Sequence, residues 1–239
     1  MKKIKYKRIL LKISGEFLKS AAEGSINAVF IDDLIKQIQL LTKLGVQIGL
    51  VVGGGNLFRG SNLEKLGMRR TISDQIGMLS TVINGLSIYE LMFKRHMQAR
   101  IFASTTLAGV CERYRLDKVN KSFQSGAVVI FCFGLGIPLF TTDSSACVHG
   151  VEIQADIFLK GTKVNGVYSG DPRSNPSATL YQTLTYDDVL NKKLQVMDYT
   201  SLVLARENKL PILVFNMSDP KILYNIVTGK HPVGTLITE

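Results

Sequence analysis

The chain has 239 residues, 46% hydrophobic and 20% charged, enough to bury a full core as one large domain or two lobes, which excludes a disordered or fibrous protein. Lys+Arg number 29 against 19 Asp+Glu, and the formal charge of +10 favours phosphorylated ligands or nucleic acid without choosing between them. Cys111, Cys132 and Cys147 are too scattered for a disulfide framework or a C-x-x-C metal site, so they are expected in the core of a protein of the reducing cytoplasm. No apolar run is read as membrane-spanning, and the basic start is interrupted by Lys12 after Ile9, Leu10 and Leu11, short of a signal's apolar region.

Arg8 to Ile13 reads as a strand closed by Ser14-Gly15. Lys12 then lies at its carboxyl end, the edge at which open α/β sheets bind ligands; a solvated lysine is the plainer alternative. In Val29 to Leu44, Leu34, Ile38 and Leu41 share a helical face, and Val46 to Val52 is a β-branched-rich run suited to a strand buried on both faces. Arg8 to Val52 is therefore a β-α-β unit with a right-handed crossover. Its second strand runs into Gly53, Gly54 and Gly55, expected to take φ > 0 and bring bare N–H groups against an anion, with Arg59 adding a planar, permanently charged fork. A flexible turn is the alternative, and neither a Walker A loop nor a dinucleotide fingerprint is present.

Thr71 to His96 carries Ile72, Ile76, Leu79, Ile83 and Leu86 at spacings of four, three, four and three. This is a long amphipathic helix whose stripe serves core packing or, as a second reading, a helix-to-helix subunit interface. Asp74, in its first turn, is either a cap-region carboxylate or an acceptor for a ligand's hydroxyl pair. Gln98 to Ala103 and Ala127 to Phe133 are further strands, with Glu112 to Lys121 a polar connection between them. Thr141, Thr142 and Asp143 stand before a helix opened by Ser144, so hydroxyls, a carboxylate and helix N–H groups converge, with N-capping by Asp143 or Ser144 compatible with that. Ala155 to Lys160 is a strand, followed by a Gly-, Asn-, Asp- and Pro-punctuated loop from Gly161 to Pro172. Helices over Tyr186 to Leu190, Thr200 to Arg206 and Asp219 to Thr228, and strands over Ile212 to Phe215 and Thr235 to Ile237, complete the chain. His96, His149 and His231 show no metal spacing.

Lys12-Ile13-Ser14-Gly15-Glu16, the loop GGGNLFRG from Gly53 to Gly60, Thr141-Thr142-Asp143, the Gly161 to Pro172 segment, Val196-Met197-Asp198 and the ending GTLITE follow one another in this order. Together they resemble the bacterial uridylate kinases of the amino-acid kinase superfamily, from about Tyr6 to Glu239. The resemblance implies an α/β fold, a three-layer αβα sandwich with a mainly parallel central sheet. It implies one domain over residues 1–239, with an acceptor-binding lobe at about 1–150 and an ATP-binding lobe at about 151–239. The implied reaction is phosphoryl transfer from ATP to UMP, with Mg2+ accompanying ATP, in pyrimidine nucleotide (CTP) biosynthesis in the cytoplasm. The implied assembly is a homohexamer of dimers paired through the long helix.

By the same resemblance Lys12, Arg59 and Asp143 would be catalytic. Lys12, Ile13, Ser14, Gly15, Gly55 and Arg59 would meet the ATP phosphates, with Lys12 the main transition-state cation and Asp143 orienting the lysine or the metal. Thr162, Tyr168 and Asp171 would hold the nucleoside part of ATP. Gly54 would meet the UMP phosphate, Asp74 its ribose, and Leu135, Gly136, Ile137, Pro138, Leu139, Phe140, Thr141 and Thr142 would line its pocket. Leu135 and Ile137 replace a Thr and an Asn usual in that stretch, and Arg69 an Asn, which bears on base selectivity. GTP-responsive relatives carry clustered cations on the long helix and neighbouring strands; here those positions read Tyr89, Phe93 and Ala127, with Arg100 alone basic, and Ser20 to Asn27 lacks the usual Gly-Ile-Asp ending. A weak or absent GTP response is therefore expected. The competing readings are a superfamily kinase acting on another small phosphate or on a carboxylate acceptor, and a weakly catalytic nucleotide sensor that binds nucleic acid through its charge.

Overall fold

A computed structural model describes residues 4–20, 26–172, 174–230 and 233–239; part of the Ser20 to Asn27 reading, and His231, fall outside them. Strand β1 (Arg8–Ile13) alternates Ile9, Leu11 and Ile13 toward one helical layer with Leu10 toward the other, all fully buried, as a central parallel strand must. After a 3₁₀ turn (Gly15–Leu18), helix α1 (Ala28–Lys43) starts on Asn27, whose side chain accepts from the Phe30 N–H, and buries Ile31, Leu34, Ile35, Ile38 and Leu41. It leads into β2 (Gln47–Val52), which pairs parallel to β1 with Val52 opposite Ile13.

The chain continues through α2 (Gly60–Lys65), α3 (Arg70–Lys94), β3 (Ala99–Ala103), β4 (Glu112–Arg113), α4 (Leu116–Gln124), β5 (Val128–Cys132) and α5 (Thr142–Glu152). It ends in β6 (Ile157–Thr162), β7 (Thr183–Thr185), α6 (Tyr186–Asn191), α7 (Tyr199–Glu207), β8 (Ile212–Asn216), α8 (Ile222–Thr228) and β9 (Thr235–Thr238). Among the described residues these strands form one sheet in the order β4-β3-β5-β2-β1-β6-β8-β9-β7, parallel throughout except at β8 and β9. Residues of α1, α3 and α8 share one apolar cluster with the sheet, and residues of α4, α5, α6 and α7 share the other. This is the three-layer αβα arrangement expected from the resemblance.

The structure departs from the sequence reading in several places. Glu112 to Lys121 is not a mere polar connection: Glu112–Arg113 pairs with β3, and α4 follows, seating Val119 and Phe123 in the core. Strand β7 has no counterpart among the elements read from the sequence. The stripe on α3 reaches the core of this chain only at its end, where Leu86 packs partly buried against it, since Ile72, Leu79 and Ile83 are exposed at 36%, 48% and 48%. The inward face of α3 instead carries Ser73, Ser80, Thr81, Asn84 and Gly85 with Met78, Val82, Ile88 and Met92. Small residues are needed there because the helix lies close to the sheet: a Cβ at Gly85 would fall 2.3 Å from Cys132 Sγ. By length and composition α3 is also long and apolar enough to cross a membrane, contrary to the reading that no run is, but its inward face is spent on the sheet. Cys132 and Cys147 are buried as expected, whereas Cys111 is half-buried.

Candidate active site

The carboxyl ends of β1 and β2 lie side by side, and the Gly53 N–H donates to the Ile13 carbonyl at 2.9 Å, so the Ser14-Gly15 turn and the triple glycine open at one edge of the sheet. Gly53, Gly54 and Gly55 do not use φ > 0; the positive-φ glycines lie elsewhere. Close approach is what demands them. A Cβ at Gly54 would sit 2.7 Å from the Gly77 carbonyl oxygen, and one at Gly15 would sit 2.5 Å from the Gly53 oxygen. Gly55, by contrast, has free space where a Cβ would point, with Arg59 Cγ the nearest atom at 3.9 Å. Two amides lock the loop to α3: Asn84 Nδ2 donates to the Gly53 carbonyl at 2.8 Å and to Asn56 Oδ1 at 2.7 Å, while Asn56 Nδ2 donates back to Asn84 Oδ1 at 3.1 Å.

Helix α5 aims its N-terminus at the same edge. Thr141, rather than Asp143 or Ser144, is its cap, accepting from the Asp143 and Ser144 N–H groups at 3.0 and 3.3 Å. Asp143 therefore stands within the first turn and reaches sideways to two lysines, Lys12 of β1 and Lys160 of β6, at 2.9 and 2.5 Å. Burial pushes the Asp143 carboxyl up, but the two ammoniums outweigh it and hold the group at about 2. Burial pulls the Lys160 ammonium below its ordinary value and Lys12 adds to that, with Asp143 opposing. Behind this cluster Asp198 accepts from the Thr141, Ser144 and Ser201 hydroxyls at 2.5, 3.1 and 2.6 Å, tying the start of α5 to α7. These bonds hold the Asp198 carboxyl below its usual value, against burial, which raises it.

Two cavities flank the cluster. The smaller, about 150 Å³, is bounded by Gly54, Gly55, Asp74, Phe140, Thr141 and Thr142, together with Phe58, Ser73, Gly77, Met78, Thr81 and Gly134, which the sequence did not single out. Leu135, Gly136, Ile137, Pro138 and Leu139 do not line it; Ile137 and Leu139 are exposed at its rim. That rim is bent by positive φ at Phe133 (65°), Gly134 (54°), Gly136 (78°) and Leu139 (75°), and two side chains hold the non-glycine bends. Thr81 Oγ1 accepts from the Phe133 N–H at 2.8 Å, and Asp74 Oδ2 from the Leu139 N–H at 2.9 Å. Asp74 also receives Arg70 Nε at 3.0 Å; since α3 begins at Arg70, it stands one turn into the helix and not in the cap region or first turn expected from the sequence, and it walls the cavity. The larger cavity, about 500 Å³, lies beyond β6 and is lined by Thr162, Tyr168 and Asp171, with Lys192, Lys193 and Val196 opposite.

Arg59 precedes α2 and forms an ion pair with Glu16 of the 3₁₀ turn, whose other oxygen lies 4.0 Å from Lys163 Nζ. Lys12, Ile13, Ser14, Gly15, Gly54, Gly55, Arg59, Asp143 and Thr162 are thus brought to one edge of the sheet. Lys160 was missed because a lysine ending a strand reads as solvated. The signal available was its place two residues before Thr162, matching Lys12 two before Ser14.

Residues 7–216 match the model of the amino acid kinase family. The chain is 66% identical over 236 residues to the uridylate kinase of Buchnera aphidicola subsp. Cinara cedri, covering 99% of each, and 50% identical to that of Idiomarina loihiensis, covering 98% of this chain and 95% of that one. Solved structures of UMP kinase from Bacillus anthracis and Ureaplasma parvum superpose with TM-scores of 0.93 each, at 36% and 33% identity. They cover 98% and 99% of this chain and are themselves covered over 96% and 100% of theirs. With its glycine loop, buried lysines and helix N-terminus on one parallel sheet edge, the chain belongs to the amino acid kinase family, among its uridylate kinases.

Proposed function

We propose that the chain transfers the γ-phosphoryl group of ATP to UMP, giving ADP and UDP. The observation that carries this is the cationic cluster of Lys12 and Lys160 around Asp143, set between a cavity reached by Gly54 and Thr142 and one reached by Thr162. An oxygen of the UMP phosphate attacks the γ-phosphorus, and the bond from that phosphorus to the β,γ-bridging oxygen breaks, its electron pair leaving on ADP. The acceptor phosphate is already ionised, so positioning and charge compensation are what the protein must supply. Lys12 would offset charge developing on the transferring group, and Arg59 would leave Glu16 to close on the phosphates. Ser14, Gly15 and Gly55 would present N–H groups to ATP, and Gly54 would do so to the UMP phosphate. Thr162, Tyr168 and Asp171 would hold the ATP nucleoside. Asp74 would exchange its bond to the Leu139 N–H, or to Arg70, for the UMP ribose.

Mg2+ neutralises phosphate charge in such reactions, and the residues here fit a metal carried on the ATP phosphates. Both oxygens of Asp143 face ammoniums, and among the described residues no three His, Cys, Asp or Glu side chains converge. In this reading residues of about 1–150 bind the acceptor and those of about 151–239 bind ATP, in the cytoplasm and toward CTP. The exposed stripe of Ile72, Leu79 and Ile83 supports pairing through α3 in a homohexamer. An ADP-release assay with UMP, CMP, dCMP, AMP, aspartate and acetylglutamate in parallel tests the reading. UMP should be turned over far faster than the rest, and a carboxylate acceptor preferred to UMP would refute it.

A further inference from the structure

Strands β1 and β6 place Lys12 directly opposite Lys160, so both side chains leave the same face of the sheet one strand spacing apart. One pair earlier on that face the same two strands carry Leu10 and Phe158, both fully buried, so apolar packing is what this row otherwise uses. Each lysine is only 8% exposed, and a buried ammonium persists only where it is paired. Both end on one carboxylate, Asp143, with one oxygen each. Two ammoniums on one carboxylate leave a buried group of charge +1. With Lys12 and Asp143 alone, the same place would hold a neutral pair, and the carboxylate would cancel Lys12 where phosphates arrive.

We propose that Lys160 is a positioning residue for phosphoryl transfer: it takes one oxygen of Asp143, fixes that carboxylate between the strands, and leaves Lys12 a charge to give to the transferring group. The inference rests on the UMP-kinase reading above. Lys160→Met, Lys160→Arg, Asp143→Asn and the double variant Lys160→Met/Asp143→Asn are assayed for ADP release with UMP and MgATP beside the parent chain, after thermal melts establish that each is folded. Turnover of UMP by the parent is the control on the reading itself: without it that reading fails, and with it the variants judge Lys160 alone.

Lys160→Met should lower kcat by about tenfold to a hundredfold, the range of losing part of one electrostatic stabiliser, with KM for UMP unchanged because neither lysine lines the UMP cavity. Lys160→Arg keeps the charge and should recover part of the loss. In the Asp143→Asn background the change at Lys160 should move kcat by less than about twofold, the non-additivity of groups that act as a unit. A folded Lys160→Met with kcat within about twofold of the parent, or a loss of equal size with and without Asp143, overturns the proposal. Should Lys160→Met alone not fold, the Asp143→Asn and double variants still decide it: equal kcat supports the proposal, and a further loss of about tenfold overturns it.

Discussion

Alanine at two adjacent glycines separates packing from ligand binding. A Cβ at Gly54 would stand 2.7 Å from both the Gly77 carbonyl oxygen and Ser80 Cβ, atoms fixed on α3. Ordinary contact begins at about 3.4 Å, so loop and helix would have to part by roughly 0.7 Å or more. Overpacking by one methyl costs about 1–3 kcal/mol, and at about 2–4 °C per kcal/mol for a chain of this size Gly54→Ala should melt about 2–12 °C lower. The Gly55 methyl would meet Arg59 Cγ at 3.9 Å, an ordinary contact. Gly55→Ala should therefore melt within about 2 °C of the parent. If Gly55 meets the ATP phosphates as proposed, its methyl would nonetheless take the space of a phosphate oxygen, so KM for ATP should rise and kcat fall. Circular-dichroism melts of the ligand-free proteins, followed by calorimetric titration with ADP, make the comparison. If Gly54→Ala melts like the parent while Gly55→Ala melts lower, the division of labour drawn from these contacts is wrong.

Lys12→Ala should lower kcat by about a hundredfold or more. Its Tm should fall little, since Asp143 keeps Lys160 at 2.5 Å, and near-normal turnover would remove Lys12 from the reaction. Asp74→Asn should raise KM for UMP and leave KM for ATP unchanged, because the amide oxygen can still accept from the Leu139 N–H; a change in melting alone would reduce Asp74 to a structural carboxylate. Asp143 lies at about 2 in the fold against an ordinary 3.8, a depressed value, so its contribution is present above about pH 4 and lost as pH falls through 2. That contribution is about 2 kcal/mol, and acid unfolding of Asp143→Asn should be flatter across the window; an unchanged acid limb would refute it. GTP titrated to millimolar levels at subsaturating substrates should give no saturable activation, as Tyr89, Phe93 and Ala127 line a cavity whose Arg100 stands 3.8 Å from Glu112. Several-fold activation abolished by Arg100→Ala would overturn that expectation.

Lys12, the glycine loop and Asp143 were legible in the sequence because each adjoins punctuation that ends a strand or starts a helix. What the glycines are for was not legible: sequence suggests unusual φ, whereas Gly54 answers to the backbone of α3, a contact made across more than twenty residues. Lys160 was hidden for a similar reason, since only the pairing of β1 with β6 sets it beside Lys12. On α3, periodicity singled out an apolar face of which Ile72, Leu79 and Ile83 point outward. The inward face is built of Ser80, Thr81, Asn84 and Gly85, residues chosen by the closeness of the sheet and by the bonds to Phe133 and Gly53, neither of which a hydrophobic pattern reports. Helix α4 escaped because only Val119 and Phe123 mark its buried side amid charged neighbours.

The position of β1 bears on how the chain is made. Among the described strands it leaves the ribosome first, yet its two neighbours are β2, which follows within about forty residues, and β6, which begins only at Ile157. Until β6 emerges, one side of β1 offers unpaired N–H and C=O groups between Ile9, Leu10, Leu11 and Ile13, the flat apolar edge that invites pairing with another chain. A product ending after α5 would carry that edge permanently. Such a fragment should associate or precipitate when expressed alone, and should be recovered by supplying residues 154–239 in trans, because the open seam runs down the middle of the sheet and not along its border.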